Sequence, residues 1–185
     1  NILQELNANI TPEMADALYA GIIMDTGKFL NTNTTAETMK IAGGLLDKGA
    51  DVDKARIQLF ESKLWGEMLV LRQGLQNLEI SDDGKYAWIK LTYQEVKDIG
   101  GLDLHPEGII NYTRMIKGVE VGVLFRETSP GVVKIGFRSR GKVDVAALAK
   151  GFGGGGHKLA AGASRQGNLE EVCNMVIDVV KDVIR

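Results

Sequence analysis

The residues best suited by type and spacing to do chemistry are Gly153-Gly154-Gly155-Gly156-His157-Lys158. Glycine contributes no side chain to packing and costs more backbone entropy on folding than any other residue. A run of four therefore predicts bare backbone brought close to something. Consecutive N–H groups that converge form a concave anion site, stronger where a helix starts directly afterwards, and Leu159-Ala160-Ala161 is compatible with a helix. The basic residues Arg138, Arg140, Lys142 and Lys150 precede the run and Lys158 closes it, against the single acid Asp144, in a chain of net charge −2. Together these features predict a phosphate pocket, with the His157 imidazole at its rim as a hydrogen-bond donor. The competing reading is a flexible surface loop. The absence of serine from the run and the histidine that ends it count against that reading.

Arg138-Ser139-Arg140 ends a predicted strand. An arginine fork suits phosphate oxygens. Residues 138 and 140 share one strand face and 139 takes the other, so a single arginine facing the pocket is one reading and an exposed strand end is the other. Asp25 follows the apolar Ile22-Ile23-Met24. That edge-of-core position suits a metal ligand, and equally a turn-forming aspartate bonded to its own backbone. A hard-metal centre needs several carboxylate or imidazole ligands. The chain has 2 histidines, His105 and His157, and shows no other cluster with ligand spacing, so it does not visibly encode a complete metal site. His105-Pro106-Glu107 opens a predicted helix, with His105 as a cap or a solvated residue. Asn111 and Arg114 lie three apart on that helix and can share a face, either towards a base or sugar or simply towards solvent.

These residues must be positioned by the elements around them. Thr11 can cap, and Pro12 can start, a helix over 11–30, with Met14, Leu18, Ile22 and Ile23 at helical spacing. Thr34 and Glu37 have the spacing of a capping box for a second helix that stops at Gly49. Asp51 can cap a third stretch, whose apolar positions from Val52 to Leu78 keep a helical period for about seven turns. That length predicts two abutting helices or one long helix joining two domains, with a boundary near 61–66. Beyond 78 the pattern mixes strands and helices. A strand is predicted over 86–91, then a short helix capped by Thr92 and ending by Gly100, and a helix over 106–117. Two strands at 119–126 and 132–138 meet through Ser129-Pro130-Gly131 as a hairpin. A short helix at 143–150 feeds the glycines, and Asn168 with Glu171 opens a last amphipathic helix.

The bulk numbers exclude several classes. With 185 residues, 44% hydrophobic and 25% charged, the composition is that of an ordinary globular protein of one domain or two small ones. A net charge of −2 supplies no global basic field for long nucleic acid. One cysteine, Cys173, allows no intrachain disulfide and points to a reducing, cytoplasmic compartment. No apolar run reaches membrane-spanning length, and no signal peptide is visible.

The stretch Gly154-Gly155-Gly156-His157-Lys158-Leu159-Ala160-Ala161-Gly162 resembles the hallmark of the DHH-associated C-terminal domain of DHH phosphoesterases. Phe137-Arg138-Ser139 and Asp144-Val145-Ala146-Ala147-Leu148-Ala149 resemble it too. Gly21-Ile22-Ile23-Met24-Asp25-Thr26-Gly27-Lys28-Phe29, with Asn33-Thr34-Thr35, resembles the end of the catalytic DHH domain, and Glu107-Gly108-Ile109-Ile110-Asn111-Tyr112 fits the same group. The branch that acts as oligoribonuclease and pAp phosphatase is more similar than the RecJ exonucleases or the alanyl-tRNA synthetase tail.

The resemblance implies an α/β fold. Residues 1–62 would be the helical C-terminal end of a DHH catalytic domain, 63–77 a long connecting helix, and 78–185 a smaller mixed-sheet α/β DHH-associated domain that binds substrate. It implies a hydrolase that uses two Mn²⁺ ions and cuts short oligoribonucleotides, pApA-like dinucleotides and 3′-phosphoadenosine-5′-phosphate (pAp) to mononucleotides. Carried over by position, Asp25 is a catalytic metal ligand. His157 and the amides of Gly154, Gly155 and Gly156 bind the substrate phosphate, Arg138 and Ser139 lie close to it, and Asn111 and Arg114 match more weakly. The Asp-His-His that names the family is missing from this sequence. The expectation is therefore a chain that starts late in the catalytic domain, has an incomplete metal site and is inactive in isolation. A nucleotide-binding module without its own catalysis and a cyclic-di-AMP phosphodiesterase are the alternatives, and a homodimer is left open.

Overall fold

The computed structural model describes residues 9–104 and 108–184. The predicted helix start at His105-Pro106-Glu107 lies outside them. The chain divides into two compact units, one up to Lys63 and one from Leu64.

The first unit is helical. In α1 (Pro12–Asp25) the Thr11 hydroxyl accepts from the Met14 N–H and proline occupies the first turn, as the sequence predicts. Ala15, Tyr19 and Ile23, four residues apart, put one stripe of α1 inside. They meet Ala42 and Leu45 of α2 (Ala36–Leu46) and Ala55 of α3 (Val52–Arg56). The start of α2 is one residue later than the predicted box. Thr35 is the cap, and it exchanges hydrogen bonds with Thr38 rather than Glu37. Asp51 caps α3 by accepting from the Lys54 N–H at 2.9 Å.

Of the two arrangements that the apolar period allows, the chain forms two helices and not one long one, and it breaks inside the expected 61–66 boundary. After α3 the chain widens into a π-type turn over Ile57–Glu61. Ser62 leaves helical geometry (φ −107°, ψ 46°), and its hydroxyl donates back to the Ile57 carbonyl at 2.8 Å. Leu64 is extended (φ −67°, ψ 147°), and its N–H donates to the Glu67 carboxylate at 2.8 Å. A new helix, α4 (Trp65–Gln76), starts from that cap. The apolar period runs through the break because period alone does not record where a side chain takes over a backbone bond.

The second unit is built on a six-stranded mixed sheet. Its strands are β1 (Leu78–Ile80), β2 (Tyr86–Leu91), β3 (Val121–Ser129), β4 (Val132–Ser139), β5 (Gly155–His157) and β6 (Ala160–Gln166), in the order β1-β2-β3-β4-β6-β5. The β2–β3 pair is parallel and the others are antiparallel. β3 and β4 form the hairpin that Ser129-Pro130-Gly131 predicts. Its return fits Gly131, which takes φ +74°, a conformation glycine adopts without penalty.

Alternation sorts the side chains of this sheet. Val121, Val123, Phe125, Val133, Ile135 and Phe137 face one side, against α7 (Val145–Gly151) and α8 (Leu169–Ile184). On the other side, Ile89 and Leu91 of β2 pack under α4 and α5 (Tyr93–Asp98). The predicted helix over 106–117 is helical in the described residues only as α6 (Asn111–Met115), which rests on β2, β3 and β4. No helix among the described residues is long and apolar enough to cross a membrane.

Cys173 lies on the inner stripe of α8, 3% exposed, and burial pushes its thiol up to about 12. Nucleophilic attack requires the thiolate. Cys173 should therefore resist a thiol reagent such as iodoacetamide at pH 8 in the folded protein and react once urea unfolds it. Rapid labelling without unfolding would show that α8 opens locally.

Candidate functional site

The glycine run does not lead into a helix. His157 turns through Lys158 and Leu159 straight into β6, so the glycines form a short edge strand against it. Their approach is to the protein's own backbone. A Cβ at Gly156, where φ is +146°, would lie 2.6 Å from the Ala160 carbonyl oxygen and 2.9 Å from the Ala161 Cβ, and one at Gly154 would overlap the Gly162 carbonyl oxygen. Ala160-Ala161-Gly162 adopts strand rather than helix because it is paired on both sides, with β4 and with β5. The Gly154 N–H is spent on the Ala149 carbonyl at the end of α7, at 2.8 Å.

Strand register, not helix geometry, assembles the site. Residues directly opposite in antiparallel strands share a face. On the face opposite α7 and α8, Gly122 of β3, Arg138 of β4, Ala160 of β6 and His157 of β5 form one cross-strand row. Arg114 of α6 joins that row from above. A Cβ at Gly122 would strike the Thr113 hydroxyl and stand 3.6 Å from the Arg114 Cγ. The absence of a side chain at 122 lets α6 settle there. Arg114, Arg138 and His157 are thus brought to one edge of one face, and His157 is exposed.

The two guanidiniums are not neutralised. Arg138 donates to its neighbouring Phe137 carbonyl at 3.0 Å. Arg114 donates to the Ser139 carbonyl at 3.4 Å and to Asn111 Oδ1 at 3.3 Å, and its buried Nε has no acceptor among the described residues. Neither arginine has an ion pair there. Burial first, and then the positive charge of Arg114, push the Arg138 pKa down. Two partly buried cations that repel each other, with a donor unused, form a ready site for an anion. Asn111 holds one of these forks in place.

Ser139 does not reach that face. It is fully buried, and its hydroxyl donates to Glu120 at 3.0 Å. Arg140 lies past the end of β4, and its guanidinium donates to the backbone carbonyls of Arg114 and Ile116. Glu120, which the sequence reading passed over, accepts from Ser139 and from the N–H groups of Gly141, Lys142 and Val143. It fixes the turn between Arg138 and α7. Burial alone would raise its pKa, but the converging N–H and hydroxyl donors outweigh burial and hold it below the usual carboxylate range.

Asp25 ends α1 in the first unit. Asn33 Nδ2 donates to its carboxylate at 2.9 Å, and both Asn31 and Asn33 donate to its backbone carbonyl. Past Thr26, the three residues Gly27, Lys28 and Phe29 all take left-handed φ of 56–63°. This costs free energy at the two non-glycine positions and is supported by the Lys28 ammonium 4.0 Å from the centre of the Phe60 ring. Among the described residues no three of His, Cys, Asp and Glu stand together as a metal site. One carboxylate does not make a two-Mn²⁺ centre, so these residues by themselves do not fit one.

The DHHA1 domain family matches this chain over residues 90–182, the span that carries β3, β4, α7, the glycine strand and α8. The chain belongs to the DHHA1 domain family. Its similar curated relatives include bifunctional oligoribonucleases and PAP phosphatases named NrnA. The Bacillus subtilis protein is 33% identical over 157 residues, 84% of this chain and 48% of its own length. The Thermus thermophilus protein is 28% identical over 98% of this chain and 54% of its own length. The crystal structure of an exopolyphosphatase-related protein from Bacteroides fragilis superposes with a TM-score of 0.84 at 30% identity, covering 95% of this chain and 50% of that one. The chain thus spans about half the length of the relatives it matches.

Proposed function

We propose that this chain is the nucleotide-recognising half of a Mn²⁺-dependent phosphoesterase that hydrolyses short oligoribonucleotides, pApA-like dinucleotides and pAp to mononucleotides. The observation that carries the reading is the row of Arg114, Arg138 and His157, whose two arginines have no carboxylate partner among the described residues. The row would hold a substrate phosphate. Arg138 and Arg114 supply charge and fixed donors, and His157 and the outward N–H groups of the edge strand complete the cradle. Family membership and the NrnA relatives support the same substrate class. In this reading Asp25, steadied by Asn33, contributes one metal ligand, and the remaining ligands belong to a DHH segment that these residues do not include.

A calorimetric titration of the metal-free protein with pAp and with pApA tests recognition apart from catalysis. Wild type should bind both, and His157→Ala should bind at least tenfold more weakly, a loss of about 1.4 kcal/mol. Equal affinity in the two proteins would remove His157 from the site. No binding to folded wild type would remove the reading altogether.

A further inference from the structure

We infer, on the phosphate reading above, that Arg140 is a positioning residue: it does not touch the anion but holds Arg114 where Arg114 can reach it. The need for a hold lies in α6. A helix of 5 residues is marginal without tertiary support. No side chain caps its start, and the chain is already extended at Ile116 (φ −68°, ψ 129°). Its last carbonyls have no partner within the helix.

Arg140 supplies that partner. Its Nε donates to the Arg114 carbonyl at 3.1 Å, and its Nη2 donates to the same carbonyl at 2.5 Å and to that of Ile116 at 3.3 Å. A basic side chain satisfies the end of a helix in this way. The contact is reciprocal. Arg114 Nη1 donates in the other direction, to the Ser139 carbonyl at 3.4 Å, so the two arginines cross between α6 and the end of β4 from opposite sides. Arg140 reaches from a fixed base. Its own N–H donates to the Glu120 carbonyl at 2.9 Å, and the N–H groups of Gly141 and Lys142 donate to the Glu120 carboxylate.

The Arg114 side chain is loosely held by comparison. Its donations to Ser139 and Asn111 are long, at 3.4 and 3.3 Å, and its buried Nε has no acceptor among the described residues. Where its guanidinium stands is therefore set chiefly by where α6 stands. The missing side chain at Gly122 gives α6 room, and Arg140 gives it a fixed end. A side chain placed in advance loses less freedom when a ligand arrives. The planar fork matters, because one guanidinium spans two carbonyls and a lysine ammonium does not match that geometry.

The test is a double-mutant cycle read by calorimetric titration with pAp, on wild type, Arg140→Ala, Arg114→Ala and the double variant, with Arg140→Lys as a fifth protein. Arg140 is exposed, so its variants should fold as wild type does, which circular dichroism checks. Arg140→Ala should weaken pAp binding about five- to tenfold, and should have no further effect where Arg114 is already alanine. Arg140→Lys keeps the charge and loses the fork, so it should recover only part of the loss. A second readout needs no ligand. The Arg114 Nε–H resonance, identified as the one missing from Arg114→Ala, should exchange slowly with solvent in wild type and faster in Arg140→Ala. An unchanged affinity in Arg140→Ala, an equal loss in both backgrounds, or full recovery in Arg140→Lys overturns the positioning role and leaves the phosphate reading standing. If Arg114→Ala binds pAp as wild type does, or wild type does not bind it, while the Nε–H loses protection in Arg140→Ala, the phosphate reading fails and the hold of Arg140 on Arg114 survives. If the Nε–H also keeps its protection, both are overturned.

Discussion

Arg138→Ala should weaken binding of pAp by roughly 10- to 100-fold, the worth of about 1.5–3 kcal/mol for charge-assisted hydrogen bonds, with little change in the thermal midpoint. The two halves of this expectation come from one geometry. Arg138 makes a single hydrogen bond to its own neighbour's carbonyl and is disfavoured by burial and by Arg114. Removing it relieves a repulsion in the ligand-free protein, so the fold loses little beyond the packing of the aliphatic stem. The bound anion, in contrast, loses a planar fork that no neighbour replaces. Arg138→Lys separates charge from shape. It keeps the positive charge and loses the fork, so its affinity should fall between those of the other two proteins. The salt dependence of binding should be shallower for Arg138→Ala than for wild type. An unchanged affinity, or a loss of binding that follows a loss of folding, would take Arg138 out of the site.

Much of the second unit was legible because its signals are local. Thr92 with Glu95 is a capping box written within four residues, and the structure uses it as written. The alternation in β2, β3 and β4 survives burial on one face, and Gly131 identifies its own turn. What escaped sequence reading was non-local. Gln73 and Asn77 at the end of α4 both donate to Glu95, tying α4 to α5 across a span that no periodicity reports. The boundary near 61–66 was read from the length of the apolar run, but the side chains that make the break, Ser62 and Glu67, bond backbone and leave no mark on the apolar pattern.

The candidate site divides in the same way. Glycines followed by histidine announced a backbone in close approach, and the approach is real. Its partner is β6, however, because alanines and a glycine on that strand leave room for another backbone at van der Waals distance. Which strand a glycine run lies against depends on register, and register is not written in the run. The parity of 134, 136 and 138 was available and could have placed Lys134 and Gly136 on the Arg138 face. The arrival of Arg114 over Gly122 could not have been read, since α6 and β3 meet only through the tertiary fold. Asp25 was singled out by its motif, and the contacts that Asn31 and Asn33 make to it, from six and eight residues on, form where the left-handed turn brings them back.

Glu120→Ala should lower stability by about 2–4 kcal/mol at neutral pH, because it leaves a group of part-buried donors without their acceptor. Four groups converge on one oxygen of Glu120: the Ser139 hydroxyl and the N–H groups of Gly141, Lys142 and Val143. Solvent can reach some of them, which holds the cost below the sum of four unsatisfied groups. Glu120→Gln keeps an acceptor oxygen and loses the charge, so it should cost less. The sign of the pH dependence follows from the lowered pKa. In the folded chain the carboxylate binds its proton less readily than in the unfolded chain. Its contribution is therefore complete above the ordinary glutamate value of about 4.3 and is lost as pH falls through the lower folded value. Thermal midpoints of wild type and Glu120→Gln should differ at pH 7 and converge in acid below about pH 4. A gap that stays constant across that range would mean that the charge on Glu120 contributes nothing. The consequence for recognition follows the chain: the turn that Glu120 fastens begins two residues after Arg138 and leads through α7 into the glycine strand. Pulling it loose should weaken nucleotide binding in Glu120→Ala even at temperatures where the domain remains folded.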